Sequence, residues 1–360
     1  MSADTPRRPR VAVTGASGFI GGRAADHLER AGYHVWRFGR RPAERIPEAQ
    51  RSRYRSWDIE AGPLEDAPEV DAVVHSAGMV DDWGTYEPFR RGNVDGTRHV
   101  LATWPEARIV HISSASVYDP RAHHSCVREA EADPANGEDT KQVRWLNAYG
   151  RTKREAENLV TAEAADRSII LRPHAVYGPG DTTLLPRLLR RFRFGRLMMV
   201  GEPGDRISLT HVDNLAWAIA LAIESDATGA FNIADPTAAT KQELLTTALR
   251  RVGRPERIFY IPGGAAWAFA NVADATHLYG RLPRPIVTRY QLSHLLHDFV
   301  YDLTKARDEL DYVDPPFDSP SGLETIDPIV STSMTASLRR SLSRSRAAHR
   351  RTPISAGSSQ

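Results

Sequence analysis

The run Val11-Ala-Val-Thr-Gly15-Ala-Ser-Gly18-Phe-Ile-Gly21 constrains the fold more than any other part of the chain. It reads as an apolar strand, a tight glycine turn and the start of an amphipathic helix. Glycine lets the backbone reverse and come close to a ligand, and the helix N-terminus presents N–H groups and the positive end of its dipole. A turn of that kind suits a pyrophosphate. Gly15, Ser17, Gly18, Phe19, Ile20 and Gly21 are therefore the first candidate cofactor contacts. Ordinary strand–helix turns also carry glycine trios, so the weight comes from the apolar strand on one side and the helix on the other.

The alternation continues. Arg10–Thr14, His34–Phe38, Ala72–His75, Arg108–Ser113 and Ser168–Leu171 read as short apolar strands, and Gly18–Ala31, Val94–Thr103 and Ala148–Ala165 as helices. Short apolar runs separated by helical patterns are the mark of βαβ units and of strands buried on both faces. Residues 10–180 are thus expected to form an α/β, Rossmann-type doubly wound parallel sheet. Residues 181–328 show helical patterns at Leu184–Arg193, His211–Ile223 and Lys241–Val252, with one strand at Ala230–Ile233. They read as a smaller, mostly helical substrate-binding part, with strands able to cross the boundary. Residues 1–9 read as an extension and residues 329–360 as a disordered tail.

Charge has to be read by region. The formal net charge is +2. After Asp327 there are no acids but six arginines, Arg339, Arg340, Arg344, Arg346, Arg350 and Arg351. Without them the 45 acids outnumber the remaining basic residues, so the body is mildly acidic. Basic arms bind polyanions. This Ser/Arg-rich tail reads as a solvated appendage, and no nucleic-acid partner is expected. No apolar run approaches the ~20 residues of a membrane span, and the start has no apolar core of a secretory signal. The single cysteine, Cys126, excludes an internal disulfide framework and fits a reducing, cytoplasmic setting.

Chemistry enters at Tyr149 and Lys153, in Asn147-Ala-Tyr-Gly-Arg-Thr-Lys153. Residues four apart share a helix face. An ammonium beside a phenol stabilises the phenolate and draws its pKa down from about 10. Such a tyrosine can exchange a proton with a carbonyl or alcohol near neutral pH. Tyr301 and Lys305 repeat the spacing but lack such company, and read as an ordinary helix pair. The end of the second strand, Phe38-Gly39-Arg40-Arg41, has glycine where NAD sites place an acid, followed by two arginines. A guanidinium suits a 2′-phosphate, so NADP is expected over NAD, with Arg40 and Arg41 as contacts.

Together these features resemble the extended short-chain dehydrogenase/reductase family over roughly residues 10–315. Gly15-x-x-Gly18-x-x-Gly21 has that family's spacing, and His75-Ser-Ala-Gly78 and Asn93-Val-Asp-Gly-Thr97 resemble its strand-four and central-helix motifs. The resemblance implies adenine contacts from Asp58 and Ile59, and cofactor contacts from Ala77, Gly78, Asn93, Tyr149, Lys153, Pro173 and Val176. Ile112-Ser-Ser114-Ala-Ser-Val-Tyr118 resembles the strand-five end with the catalytic hydroxyl, which selects Ser114. The implied catalytic set is Ser114, Tyr149 and Lys153. Ser113 is expected to point to the other face of the strand.

Departures from the pattern narrow the activity. Ala115 and Ser116 stand where nucleotide-sugar dehydratases carry an Asp-Glu pair, and Ala175 stands near the place of an asparagine used on sugar nucleotides. Val80–Tyr86, His211-Val-Asp-Asn214 and the closing Tyr301–Tyr312 resemble the 3β-hydroxysteroid dehydrogenase-like branch. The apolar stretch Ala265–Val272 sits where that branch builds a substrate lid. The resemblance implies a secondary alcohol/ketone oxidoreductase acting on a hydrophobic sterol-, terpenoid- or polyketide-like molecule, in a possible homodimer. The alternatives are a nucleotide-sugar epimerase using the same three residues and a non-catalytic dinucleotide-binding protein. Trp83, Ser116 and His174 are the candidate substrate contacts. No histidine set has metal-ligand spacing.

Overall fold

The computed structural model of the chain describes residues 8–119, 124–132, 145–267 and 289–327. The basic tail, the turn at 280–285 and most of the apolar stretch 265–272 lie outside them. Seven strands form the central sheet: β1 (Arg10–Thr14), β2 (His34–Gly39), β3 (Tyr54–Ser56), β4 (Ala72–His75), β5 (Arg108–Ile112), β6 (Ser168–Pro173) and β7 (Gly229–Ile233). Their order is β3-β2-β1-β4-β5-β6-β7, and every pairing is parallel. The order reverses between β1 and β4. Ligands of such sheets bind outside the carboxyl ends of the strands at that reversal.

Both sheet faces are covered, which is why the strands are apolar throughout. Val11 and Val13 pack with Ala24, Leu28, Leu215 and Ile219 on one face. Ala12, one residue out of phase, packs with Phe38, Val73, Trp104 and Val160 on the other. Period-two alternation thus feeds two cores from one strand. Each fully buried aliphatic side chain contributes roughly 1.5–3 kcal/mol. The helices Phe19–Arg30 and Val212–Glu224 cover the first face, and Gly96–Thr103 and Ala148–Ala164 cover the second.

β7 lies late in the chain yet pairs with β6 from Gly229↔Ile169 to Ile233↔Pro173. The segment after Gly180 therefore crosses back into the sheet. Its remainder combines helices, including Lys241–Arg251, with short strands in small sheets. The helix expected over Leu184–Arg193 stops at Leu189. Phe192–Arg193 then pairs antiparallel with Arg196–Val200. The two turn residues, Phe194 and Gly195, have φ of 51° and 72°. That is the two-residue hairpin turn with both centres left-handed, and it ends any helix.

Candidate active site

The glycine turn closes onto β4. Gly15 has φ +70°, and a Cβ there would stand 2.8 Å from the Ala77 amide nitrogen. A Cβ on Gly21 would meet the Gly15 carbonyl at 2.5 Å and Ser76 Oγ at 2.6 Å. Both places require glycine for close approach. The motif histidine locks the same corner. Thr97 Oγ1 donates to the Asn93 carbonyl, so it accepts from His75 Nε2 at 3.0 Å, and Thr14 Oγ1 donates to His75 Nδ1 at 2.8 Å. Burial, and then Lys153, lower the His75 pKa to about 3, so the ring is neutral.

A crevice of about 950 Å³ runs from this turn past the end of β5 into the C-terminal part. Gly15, Ser17, Gly18, Phe19, Ile20 and Gly21 line its floor, with Arg40, Arg41, Asp58 and Ile59 at one end and Ala77 and Gly78 beside β4. Ser114, Ser116, Tyr149, Pro173, His174 and Val176 line it beyond β5. A narrow glycine floor at a helix start, with room above it, fits a dinucleotide.

Tyr149 is placed by its helix start. Asn147 Oδ1 caps that helix by accepting from the Gly150 amide at 3.0 Å. A Cβ on Gly150 would lie 2.5 Å from the Ser116 carbonyl, so glycine lets the helix press against the end of β5. Burial pushes the Tyr149 phenol up, and its hydrogen bond with Ser114 and the Arg187 guanidinium oppose that shift. Ser114 Oγ donates to Ser116 Oγ at 3.0 Å and accepts from the Ser116 amide at 3.1 Å. Ser116 Oγ in turn bonds the hydroxyl of Tyr290. Three hydroxyls, Ser114–Ser116–Tyr290, therefore form one chain, and Tyr149 lines the crevice with them.

Three expected contacts do not line the crevice. Lys153 sends its ammonium to the Ile112 carbonyl at 2.6 Å. Burial lowers its pKa to about 8, against the pull of Glu157. Asn93 is buried in a π-helical turn, Arg91–Asp95. Its Oδ1 accepts from the Met79 amide at 2.7 Å and its Nδ2 donates to Thr152 Oγ1 at 3.0 Å. It clamps the loop behind the crevice instead of facing it. Trp83 likewise stays off the lining, its amide held by Asp81 Oδ1 at 3.3 Å, and Asp82 lines the wall in its place.

Other residues sort by what holds them. His174 reaches the wall, but its Nδ1 donates to the Ser208 carbonyl at 2.7 Å and its ring stacks on Phe299. Ser113 also borders the crevice, but its hydroxyl is committed to Glu157 Oε1, to which it donates at 2.5 Å. Ala175 has φ +45°, a left-handed conformation costly for alanine and easy for asparagine. Tyr290 was not foreseen from the sequence: it lies 174 residues after Ser116 and belongs to no recognisable motif. Among the described residues no cluster of three or more His, Cys, Asp or Glu side chains could hold a metal. Among the same residues no helix is long and apolar enough to cross a membrane.

A doubly wound sheet with this floor at its reversal defines a dinucleotide-dependent α/β enzyme. The chain belongs to the NAD dependent epimerase/dehydratase family, whose profile matches residues 11–234. It is 31% identical over 318 residues to the 2-alkyl-3-oxoalkanoate reductase of Stenotrophomonas maltophilia, covering 84% of this chain and 94% of that one. It is 28% identical over 359 residues to human short-chain dehydrogenase/reductase family 42E member 1, covering 90% and 88%. A UDP-glucuronic acid 4-epimerase from Bacillus cereus, solved with NAD, shares the fold at a TM-score of 0.64 and 20% identity, over 90% of this chain and 99% of that one. The protein is accordingly an enzyme of the dehydrogenase/reductase type in an NAD(P)-dependent family.

Proposed function

We propose that the protein reduces a ketone on a hydrophobic small molecule to a secondary alcohol, with NADPH as reductant. The carrying observation is that Ser114 and Tyr149 both line a crevice that continues from the glycine floor into an apolar chamber. The chamber is lined by Leu184, Leu188, Met199, Leu209, Leu244 and Leu245, surfaces that suit alkyl arms better than a sugar. A 2-alkyl-3-oxoalkanoate, the class in the name of the Stenotrophomonas relative, meets that description.

When bound on this floor, the dinucleotide supplies the hydride. The chain supplies the rest. Ser114 turns its O–H from Ser116 Oγ to the ketone oxygen and orients that oxygen towards Tyr149. Tyr149 gives its phenol proton to that oxygen as the alcohol forms. Lys153, fixed on the Ile112 carbonyl, holds positive charge beneath the crevice while the phenolate exists. Tyr290 acts through Ser116, aiming the Ser114 hydroxyl. Tyr290→Phe is expected to lower kcat/KM about five- to tenfold, the worth of roughly one hydrogen bond. Its melting temperature should stay near that of the parent. A large thermal loss with unchanged kinetics would make Tyr290 a packing residue only.

The preference for NADP is supported at the β2 end. A Cβ on Gly39 would meet Ser17 Oγ at 2.7 Å and the Tyr54 hydroxyl at 2.9 Å, so an acid there would have to displace both hydroxyls. Arg40 is mostly exposed at the crevice end, its nearest carboxylate Glu60 at 3.8 Å. Arg40→Ala should weaken NADPH at least tenfold more than NADH, since charge-assisted bonds to phosphate contribute roughly 1.5–3 kcal/mol. Equal losses in a fluorescence titration would remove the 2′-phosphate contact.

The deciding assay supplies NADPH with long-chain 3-oxo acids and, separately, with UDP-sugars. Consumption of NADPH with the oxo acids supports the reductase. Sugar isomers formed without net consumption would establish the epimerase alternative.

A further inference from the structure

We infer that Arg187 reads the carboxylate of a 3-oxo acid, making this enzyme selective for ketones that bear an acid next to the reacting carbonyl; this rests on the reductase reading above. Two guanidiniums, those of Arg187 and Arg191, interrupt the apolar wall. They differ in how they are engaged. Arg191 donates through Nη2 to Gln291 Oε1 at 2.9 Å, and Gln291 is in turn bonded to the buried carboxylate of Asp82. That group joins three segments of the wall, and Arg191 is committed to it.

Arg187 is engaged differently. Its side chain is about a third exposed, at 31%, and the carboxylate paired with it, Asp81 Oδ1, stands at 3.8 Å, beyond hydrogen-bond range. Its charge reaches both phenols of the site, drawing down Tyr149 and Tyr290 against their burial. It lines the same crevice as Ser114, Tyr149 and Tyr290, where a carbonyl would be protonated. In a 3-oxo acid one carbon separates the ketone from the carboxylate. An acid whose ketone oxygen meets Ser114 and Tyr149 must hold its anion within a few ångströms of them. A planar guanidinium at that spot can take both oxygens, and in an apolar chamber an anion finds few other partners. The alkyl arms then extend over the leucines.

The test uses the full chain with bound NADPH, which cannot oxidise an alcohol, and two probes, a synthetic long-chain 2-alkyl-3-hydroxy acid and its methyl ester. Calorimetric Kd values are measured for the parent, Arg187→Met and Arg187→Lys. The acid should bind the parent at least tenfold more tightly than the ester. Arg187→Met should erase that preference, and Arg187→Lys should restore part of it. No preference in the parent, or a preference that survives Arg187→Met, overturns the inference. The reductase reading fails separately, if the parent does not oxidise NADPH with the matching 3-oxo acid whatever the binding shows.

Discussion

Tyr149→Phe is expected to lower the rate of ketone reduction by about a thousandfold while leaving NADPH affinity within a factor of about two. Removing a positioned proton donor typically costs 10²–10⁴ in rate, and each tenfold is about 1.4 kcal/mol of barrier. The phenylalanine keeps the ring that packs near Phe89, 6.5 Å between centroids, so the helix start should not shift. The pH profile carries a second signature. Burial raises the Tyr149 phenol pKa, so the residue stays protonated through neutral pH. Reduction consumes that proton and should hold level there, then fall on the alkaline side. Lys153, at about 8, loses its charge in the same range and steepens the fall. Alcohol oxidation needs the phenolate and should rise with pH instead. Stopped-flow measurement in both directions checks this, and parallel slopes would remove Tyr149 from the proton transfer.

The sheet was legible because its signal is local. Period-two apolar runs and the glycine spacing fix β1, β4 and β5 within a residue, and the helix carrying Tyr149 ends at Ala164, one residue short of its expected end. The hairpin at Phe192–Val200 was hidden because phenylalanine rarely takes a left-handed turn position, so composition gave no warning. Motif residues were legible as motifs, less so as contacts. Asn93 and Lys153 sit at the expected positions, yet direction decides their partners, and direction depends on the loop and strand opposite. Tyr290 and Arg187 could not be read at all. Both reach the crevice only through the packing of the C-terminal part against the end of the sheet, a long-range outcome that no short spacing encodes.

The largest stability effect should come from a buried charge cluster directly under the site. Glu157, four residues after Lys153 on the same helix face, is 1% exposed. Its carboxylate accepts from Ser113 at 2.5 Å, from Arg172 at 2.9 and 2.8 Å, and from Arg154 at 3.0 Å. Arg172, equally buried, also donates to the Tyr118 hydroxyl and the Glu129 carbonyl. Glu157→Gln keeps the shape and strands two guanidiniums against a neutral amide. Removing one partner of a buried pair costs about 3–5 kcal/mol, a large share of a typical 5–15 kcal/mol. The melting temperature is expected to fall on the order of 10 °C.

The pH dependence of that loss identifies its origin. Burial would raise the Glu157 carboxyl, but Arg172, Ser113 and Arg154 hold it below the ordinary carboxylate value. Its contribution is therefore complete above the unfolded pKa of about 4.3 and disappears as pH falls through the lower folded one. Parent and Glu157→Gln should differ most at neutral pH and converge in acid. A constant difference would mean lost packing, not lost charge. Glu157 also supports the Lys153 ammonium, so its neutralisation should move the alkaline fall in reduction to lower pH. A variant that loses stability without moving that limb would separate the scaffold from the chemistry above it.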